Sequence, residues 1–537
     1  MKKKFAALVL AFVTAAALTA CGGSGSSSSA GSEEAGAASA SSAVSESTAA
    51  VSEATEESTA AEGKILRLGE SFAYPSLDVH KDYCGWYTSI YGMSETLFKT
   101  NDDLSLSPLL AEGYSVSEDD LTWTISINPY AKFSNGTALT ADMAARNLAR
   151  LAETNERFAY LADFDISAPD DTTLVITTPE VYPTLLIDLA APETGIMDLD
   201  GTTDFDNAPV YTGPFVVKFF EPEGDVEVVK NENYWNGDVK LDGAVFYYLP
   251  DDESKLEAMQ AGDIDGYTSV TAAAKQLYAA EPDRYTLTEI PATRLQFYVL
   301  NENRMDDAVR EAVNLLVDCD HIAAYLGGTV TAAVGPFAAT APYGQVEKPA
   351  PDAAAAAAVL EGDGYVKNAD GFYEKDGQVL TLNVCYYKAR SLDTIAVLME
   401  EAFTNAGIKV TLTPEEDPDS TYVSTGDFDI ALYCMIADKA GDPYYCINAL
   451  FSTDSRWSIA GFASEECEGL IRKLQYETDP AERAKLANQI VQIVIDDNAF
   501  GFTGLFNKTT VTAPGVTGIA ETCPFDFYGI DKDTDIK

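Results

Sequence analysis

Between Gly22 and Glu62 the chain carries no aromatic residue and consists almost entirely of Ser, Ala, Gly, Thr and Glu, which confines any hydrophobic core to the residues beyond it. A segment of this kind cannot bury enough apolar surface to offset the entropy of ordering it, so residues 21–63 are expected to form a disordered tether. Its acids, among them Glu33, Glu46, Glu56 and Glu62, extend it by mutual repulsion. A flexible chain of ~42 residues has a root-mean-square reach of about 35 Å.

Ahead of the tether, Lys2, Lys3 and Lys4 precede an apolar run from Phe5 to Leu18, which ends in Leu18-Thr19-Ala20-Cys21. A basic start, a short apolar stretch and small residues before the cleavage point predict an export signal over residues 1–20, too short to remain as a spanning helix. The closing tetrapeptide resembles a bacterial lipobox. That resemblance implies lipidation at Cys21, which would moor the mature chain to the outer face of a cell membrane of the Gram-positive type.

The body beyond residue 63 is rich in Tyr and Phe and large enough to need at least two lobes. Against 35 Lys and Arg stand 85 Asp and Glu, a formal charge of -50 that argues against nucleic acid or an anionic membrane face as partner. Strand and helix patterns alternate along it. Lys64 to Leu68, Leu121 to Ile127, Val226 to Val229 and Ala244 to Leu249 read as strands. Thr140 is placed as the N-cap of a helix reaching Leu151. Ile395, Leu398, Met399, Ala402 and Phe403 make the buried stripe of a helix stopped by Gly407, and the alternation Ile408 to Leu412 continues as a strand. Asp479-Pro480 opens a further helix with Leu486, Ile490, Ile493 and Val494 on its apolar side.

Catalytic signatures are missing from this pattern. There is no Gly-x-Ser-x-Gly elbow, phosphate loop or His-Glu-x-x-His, and His80 and His321 are the two histidines of the whole chain. A built-in zinc or copper site is therefore not expected, His321 is expected to face solvent, and no cofactor is called for. Neighbouring acids such as Asp251 with Asp252, or Asp496 with Asp497, point in different directions on any regular element and read as solvated charge. The cysteines beyond Cys21 (Cys84, Cys319, Cys385, Cys434, Cys446, Cys467 and Cys523) are odd in number, so one at least stays unpaired; a Cys434–Cys446 bridge is geometrically possible.

Several stretches, taken in order, resemble the solute-binding proteins of peptide and nickel ABC importers. They include Leu109-Leu110-Ala111-Glu112-Gly113-Tyr114, Lys132-Phe133-Ser134-Asn135-Gly136-Thr137, Thr212-Gly213-Pro214-Phe215, Asn231-Glu232-Asn233-Tyr234-Trp235, Ala261-Gly262-Asp263-Ile264-Asp265, Val309-Arg310-Glu311-Ala312-Val313-Asn314 and Gly426-Asp427-Phe428-Asp429-Ile430-Ala431. The resemblance implies an α/β, two-lobed periplasmic-binding-protein-like fold of type II, cluster C-like, with a hinge between the lobes. Residues 64–290 would begin lobe I, 291–500 would form lobe II, and 501–537 would return to lobe I. A monomer of this kind captures a solute between its lobes without chemical change and delivers it to separate permease and ATPase subunits.

The resemblance also implies site residues. Arg157 and Tyr160, in Arg157-Phe158-Ala159-Tyr160, look like the arginine and aromatic with which nickel binders hold a chelate carboxylate. By register, however, a second arginine of those proteins falls near Glu193, a tryptophan at Ala437, and the metal-contacting histidine at Tyr444 beside Asp442-Pro443. In peptide binders an aspartate near such an Asp-Pro holds the ligand's α-ammonium, and Asp438 stands at about that place, with Arg157 or Arg390 left for the carboxylate. Tyr83, Trp86 and Tyr87 lie in the loop after the first strand, where family members line the cleft. A short zwitterionic peptide is the first expectation and a nickel or other metal chelate the alternative. A peptide-sensing surface receptor and a secreted hydrolase are readings of other classes.

Overall fold

A computed structural model describes residues 63–519, 524 and 529–537. The signal, Cys21, the tether and Cys523 lie outside these residues. A large mixed sheet organises the body. From one edge its strands are Lys409–Glu415, Thr381–Tyr387, Ile430–Ile436, Thr286–Leu300, Phe500–Thr512, Gly266–Thr268, Ile65–Glu70, Gly243–Tyr248, Val226–Lys230 and Phe215–Phe220, and Val330–Ala332 pairs with Phe500–Thr512 off this path.

Two of these strands are more than twice as long as a usual strand, and they tie the two ends of the sheet together. Thr286 to Pro291 pair with Thr512 to Asn507, beside Gly266–Thr268, whereas Leu295 to Val299 pair with Leu505 to Phe500, beside Ile430–Ile436. The register breaks between Pro291 and Leu295, because Pro291 has no N–H to donate to a ladder. Side chains alternate across the paired strands. Leu295, Phe297 and Val299 enter one core with Phe500 and Trp457, while Tyr298 and Leu300 enter another with Ile395, Met399 and Phe403.

That alternation settles the cysteines at issue. Cys434 belongs to the second of these cores and Cys446 to the first, on opposite faces of one sheet, so the bridge allowed by sequence is not made. Burial pushes the Cys446 thiol well up and keeps it protonated.

Local signals place the helices as expected. The Thr140 hydroxyl accepts the Met143 N–H at the start of Ala141–Thr154, and Asp479 accepts from Ala481 and Glu482 at the start of Pro480–Asp496. Helix Leu392–Ala406 stops at Gly407, whose φ of 99° suits a residue without Cβ, and leads into Lys409–Glu415, parallel to Thr381–Tyr387. A separate antiparallel sheet of Ala111–Val116, Thr122–Ile127, Thr173–Thr177 and Asp165–Asp170 buries Trp123, Ile125 and Ile127 against the helix Ala141–Thr154. Short helical segments adjoining this layer carry Arg157, Asp188 and Glu193.

Candidate functional site

Two adjoining cavities separate these segments from the strand Ile430–Ile436 and the helix Tyr444–Phe451. The smaller, of about 260 Å³, is walled by Trp86, Tyr433 and Trp457. Its charged lining is Arg157, Arg294, Lys439 and Arg456 against the single carboxylate of Glu193. In a chain with more than twice as many acids as bases, that inversion makes the cavity a local positive well. The larger, of about 680 Å³, shares Tyr83, Arg157, Ile187, Lys439 and Tyr445 with it. There the balance reverses, with Asp163, Glu180, Asp188 and Asp442 facing Arg157 and Lys439.

Arg157 stands on the shared wall. Asn155 caps its short 3₁₀ segment and accepts the Arg157 N–H, which fixes the backbone at the start of that segment. The guanidinium lies 4.3 Å from the Tyr83 ring centroid, donates to the Asp82 carbonyl at 3.2 Å and pairs with Glu193 at 2.7 Å. Glu193 also accepts the Trp86 indole N–H at 2.8 Å. Arg456 lies over Tyr433 and Trp457 and pairs with Asp419, while the Lys439 ammonium sits 3.6 Å from the Tyr445 ring centroid.

Of the residues singled out in the sequence, Tyr83, Trp86, Arg157, Tyr160 and Tyr444 line the cavities. Tyr160 donates to Asp188 at 2.7 Å. Tyr444 opens its helix, and burial pushes its phenol up to about 12. Tyr87 is instead packed in the core against Tyr74, ring centroids 4.4 Å apart. Arg390 faces Phe72, and its carbonyl accepts from Gln296. Asp438 is buried away from both cavity linings. Tyr343 donates to its Oδ2, Gly441 N–H to its Oδ1, and burial pushes it up to about 6.

Asp442 holds the buried Arg483 by two hydrogen bonds of 2.7 Å, so the Asp442-Pro443 step anchors the helix Tyr444–Phe451 on Pro480–Asp496. His80 is buried beside Arg150 at 2.7 Å, and burial with that neighbouring cation pushes it down to about 4, whereas His321 is exposed as expected. Sequence reasoning missed Arg294, Arg456 and Asp188. Asp188 and Arg294 are single charges within largely apolar stretches, which is the signal that could have marked them, whereas Arg456 follows the polar run Ser452 to Ser455 and carries no such mark. Among the described residues no group of three or more His, Cys, Asp or Glu could hold a metal ion.

Comparison with known proteins places this geometry in a family. Residues 105–457 match the family described as "Bacterial extracellular solute-binding proteins, family 5 Middle". The nickel-binding protein NikA of Staphylococcus aureus is 25% identical over 452 residues, covering 83% of this chain and 89% of NikA. The glutathione-binding protein GsiB of Pectobacterium atrosepticum is 25% identical over 490 residues, covering 86% and 91%. The crystal structure of Staphylococcus aureus NikA in complex with Ni(L-His)2 superposes with a TM-score of 0.76 at 24% identity, covering 88% of this chain and 100% of that one. The chain therefore belongs to the family 5 extracellular solute-binding proteins, and is a non-enzymatic component that binds a small solute for an ABC transporter through a mixed α/β periplasmic-binding-protein fold.

Proposed function

We propose that this protein captures nickel, or a metal of similar chemistry, already wrapped in a small carboxylate-bearing chelator, and hands it to an ABC permease from a lipid anchor at Cys21. One observation carries the reading. The smaller cavity offers four basic groups and aromatic walls but no cluster of metal-binding side chains among the described residues, so it suits an anionic chelate better than a bare cation. Similarity to NikA over most of both chains supports the same choice and moves the chelate ahead of the short peptide expected first. In this reading residues 64–290 with 501–537, and residues 291–500, close as two lobes about the break near Pro291.

Isothermal titration of the purified chain separates the ligand classes. Nickel supplied with excess L-histidine is expected to bind, and nickel alone to bind at least tenfold more weakly. Equal binding of the bare ion overturns the chelate reading. A second reading, a short anionic peptide, is favoured by the size of the larger cavity and the similarity to GsiB. Saturable binding of glutathione without metal, with none of nickel and histidine, would put it first.

A further inference from the structure

The larger cavity contains an arrangement that an anionic chelate does not use. Asp188 ends the short helix Leu185–Asp188 and lines the cavity wall. The hydroxyls of Tyr160 and Tyr182 both donate to its Oδ2, at 2.7 and 2.8 Å, and among the described residues no donor reaches Oδ1. The two phenol rings stack with centroids 6.0 Å apart, and Phe164 closes the group edge-on, 5.8 Å from Tyr160 and 5.2 Å from Tyr182. A carboxylate with one open oxygen inside an aromatic box is the recognition chemistry of an ammonium group, which gains a charge-assisted hydrogen bond and the ring faces together.

The surroundings agree with that assignment. Burial holds Asp188 above the usual carboxylate range against the pull of the two phenols, and both hydrogen bonds to its Oδ2 come from neutral hydroxyls and not from a cation. Lys439 acts on it as a neighbouring cation, but its ammonium is seated over Tyr445. Arg157, the other base of the cavity lining, is paired with Glu193. The two cavities thus carry opposite charge, positive where Arg294 and Arg456 stand and negative around Asp188, with a common wall between them.

We propose that the larger cavity is a subsite for an ammonium-bearing arm of the same ligand whose carboxylates occupy the smaller cavity, with Asp188 Oδ1 as the acceptor and Tyr160, Phe164 and Tyr182 as the surrounding faces. The proposal rests on the chelate reading and narrows it to dipolar chelators, anionic at the metal end and cationic at the other.

Three nickel complexes test it: those of Nα,Nα-bis(carboxymethyl)-L-lysine, of the same compound acetylated on its terminal amine, and of Nα,Nα-bis(carboxymethyl)-L-norleucine. All three share the metal-binding head and a four-carbon arm, and the first alone ends in an ammonium. Titrated against the full chain, the lysine-derived complex is expected to bind at least tenfold tighter than the other two. Asp188→Asn, which keeps an acceptor for both phenols, is expected to bring the three within twofold by weakening the lysine-derived complex. Equal affinities in the wild type overturn the subsite and leave the chelate reading standing. A preference that survives Asp188→Asn overturns the role of Asp188. Binding of none of the three overturns the subsite, and the titration with nickel and L-histidine then decides the chelate reading by itself. Because the acetylated arm removes the charge without touching the protein, the result stands even where the variant does not fold.

Discussion

Arg157 Nη2 lies 2.7 Å from Oε1 of Glu193, the same oxygen that accepts the Trp86 indole N–H. The partners are unequally placed. The Glu193 side chain is 2% exposed and fixed, whereas that of Arg157 is 33% exposed and opens onto both cavities. Glu193 therefore both holds the guanidinium in position and competes with any incoming carboxylate for it.

Replacing Glu193 by Gln keeps an acceptor for Trp86 and removes the competing charge. Affinity for nickel with L-histidine is expected to rise about fivefold, a gain of ~1 kcal/mol. A weaker complex would instead mean that the pair positions Arg157 more than it restrains it. Arg157→Ala should do the opposite and also destabilise the fold by about 2 kcal/mol, less than for a fully buried pair because Arg157 is partly in water. Titration and urea unfolding on the same samples read both effects.

Asp438 links stability to pH. Its folded form is pushed up to about 6, above the usual aspartate value, so the folded chain holds that proton more tightly than the unfolded one. The stabilisation is complete below the unfolded pKa and is lost as pH rises through about 6. Asp438→Asn removes this dependence. The variant should match the wild type at pH 4 and exceed it by about 2 kcal/mol at pH 7.5 in urea unfolding. An equal difference at both pH values would rule the titration out as the cause. Since Asp438 lines neither cavity, ligand affinity is expected to stay within twofold.

The elements were legible where one physical signal dominated. The stripe from Ile395 to Phe403 with its Gly407 stop, and the Thr140 and Asp479 caps, read directly because period and cap chemistry are local. The site was legible in part. Arg157, Tyr160, Tyr83 and Trp86 emerge from motif register, but the roles of Glu193, Arg294 and Asp188 depend on chain crossings that bring distant segments together. Asp438 and Asp188 make the point sharply. Both are lone acids near aromatic residues, and only the direction each faces separates the core carboxylate under Tyr343 from the cavity carboxylate under Tyr160 and Tyr182.

Where the two long strands run side by side, Gly501 pairs with Tyr298, and a Cβ at Gly501 would fall within the Tyr298 ring. Tyr298 is fully buried, and its hydroxyl donates to Asn314 Oδ1 at 2.6 Å, with Asn314 in turn bonded to Asn498 at 2.8 Å. The ring cannot move aside without breaking this chain, and the backbone cannot yield because Thr286–Leu300 is paired on its other edge with Ile430–Ile436. Gly501→Ala is accordingly expected to destabilise by about 3 kcal/mol, the joint effect of overpacking and a displaced buried hydroxyl. Tyr298→Ala alone should cost a similar amount through the cavity it leaves. In the double variant the new methyl occupies part of that cavity, so the two losses should fall short of their sum by at least ~1 kcal/mol. Strict additivity in urea unfolding would show that the steric contact between Gly501 and Tyr298 does not limit the packing of the strands.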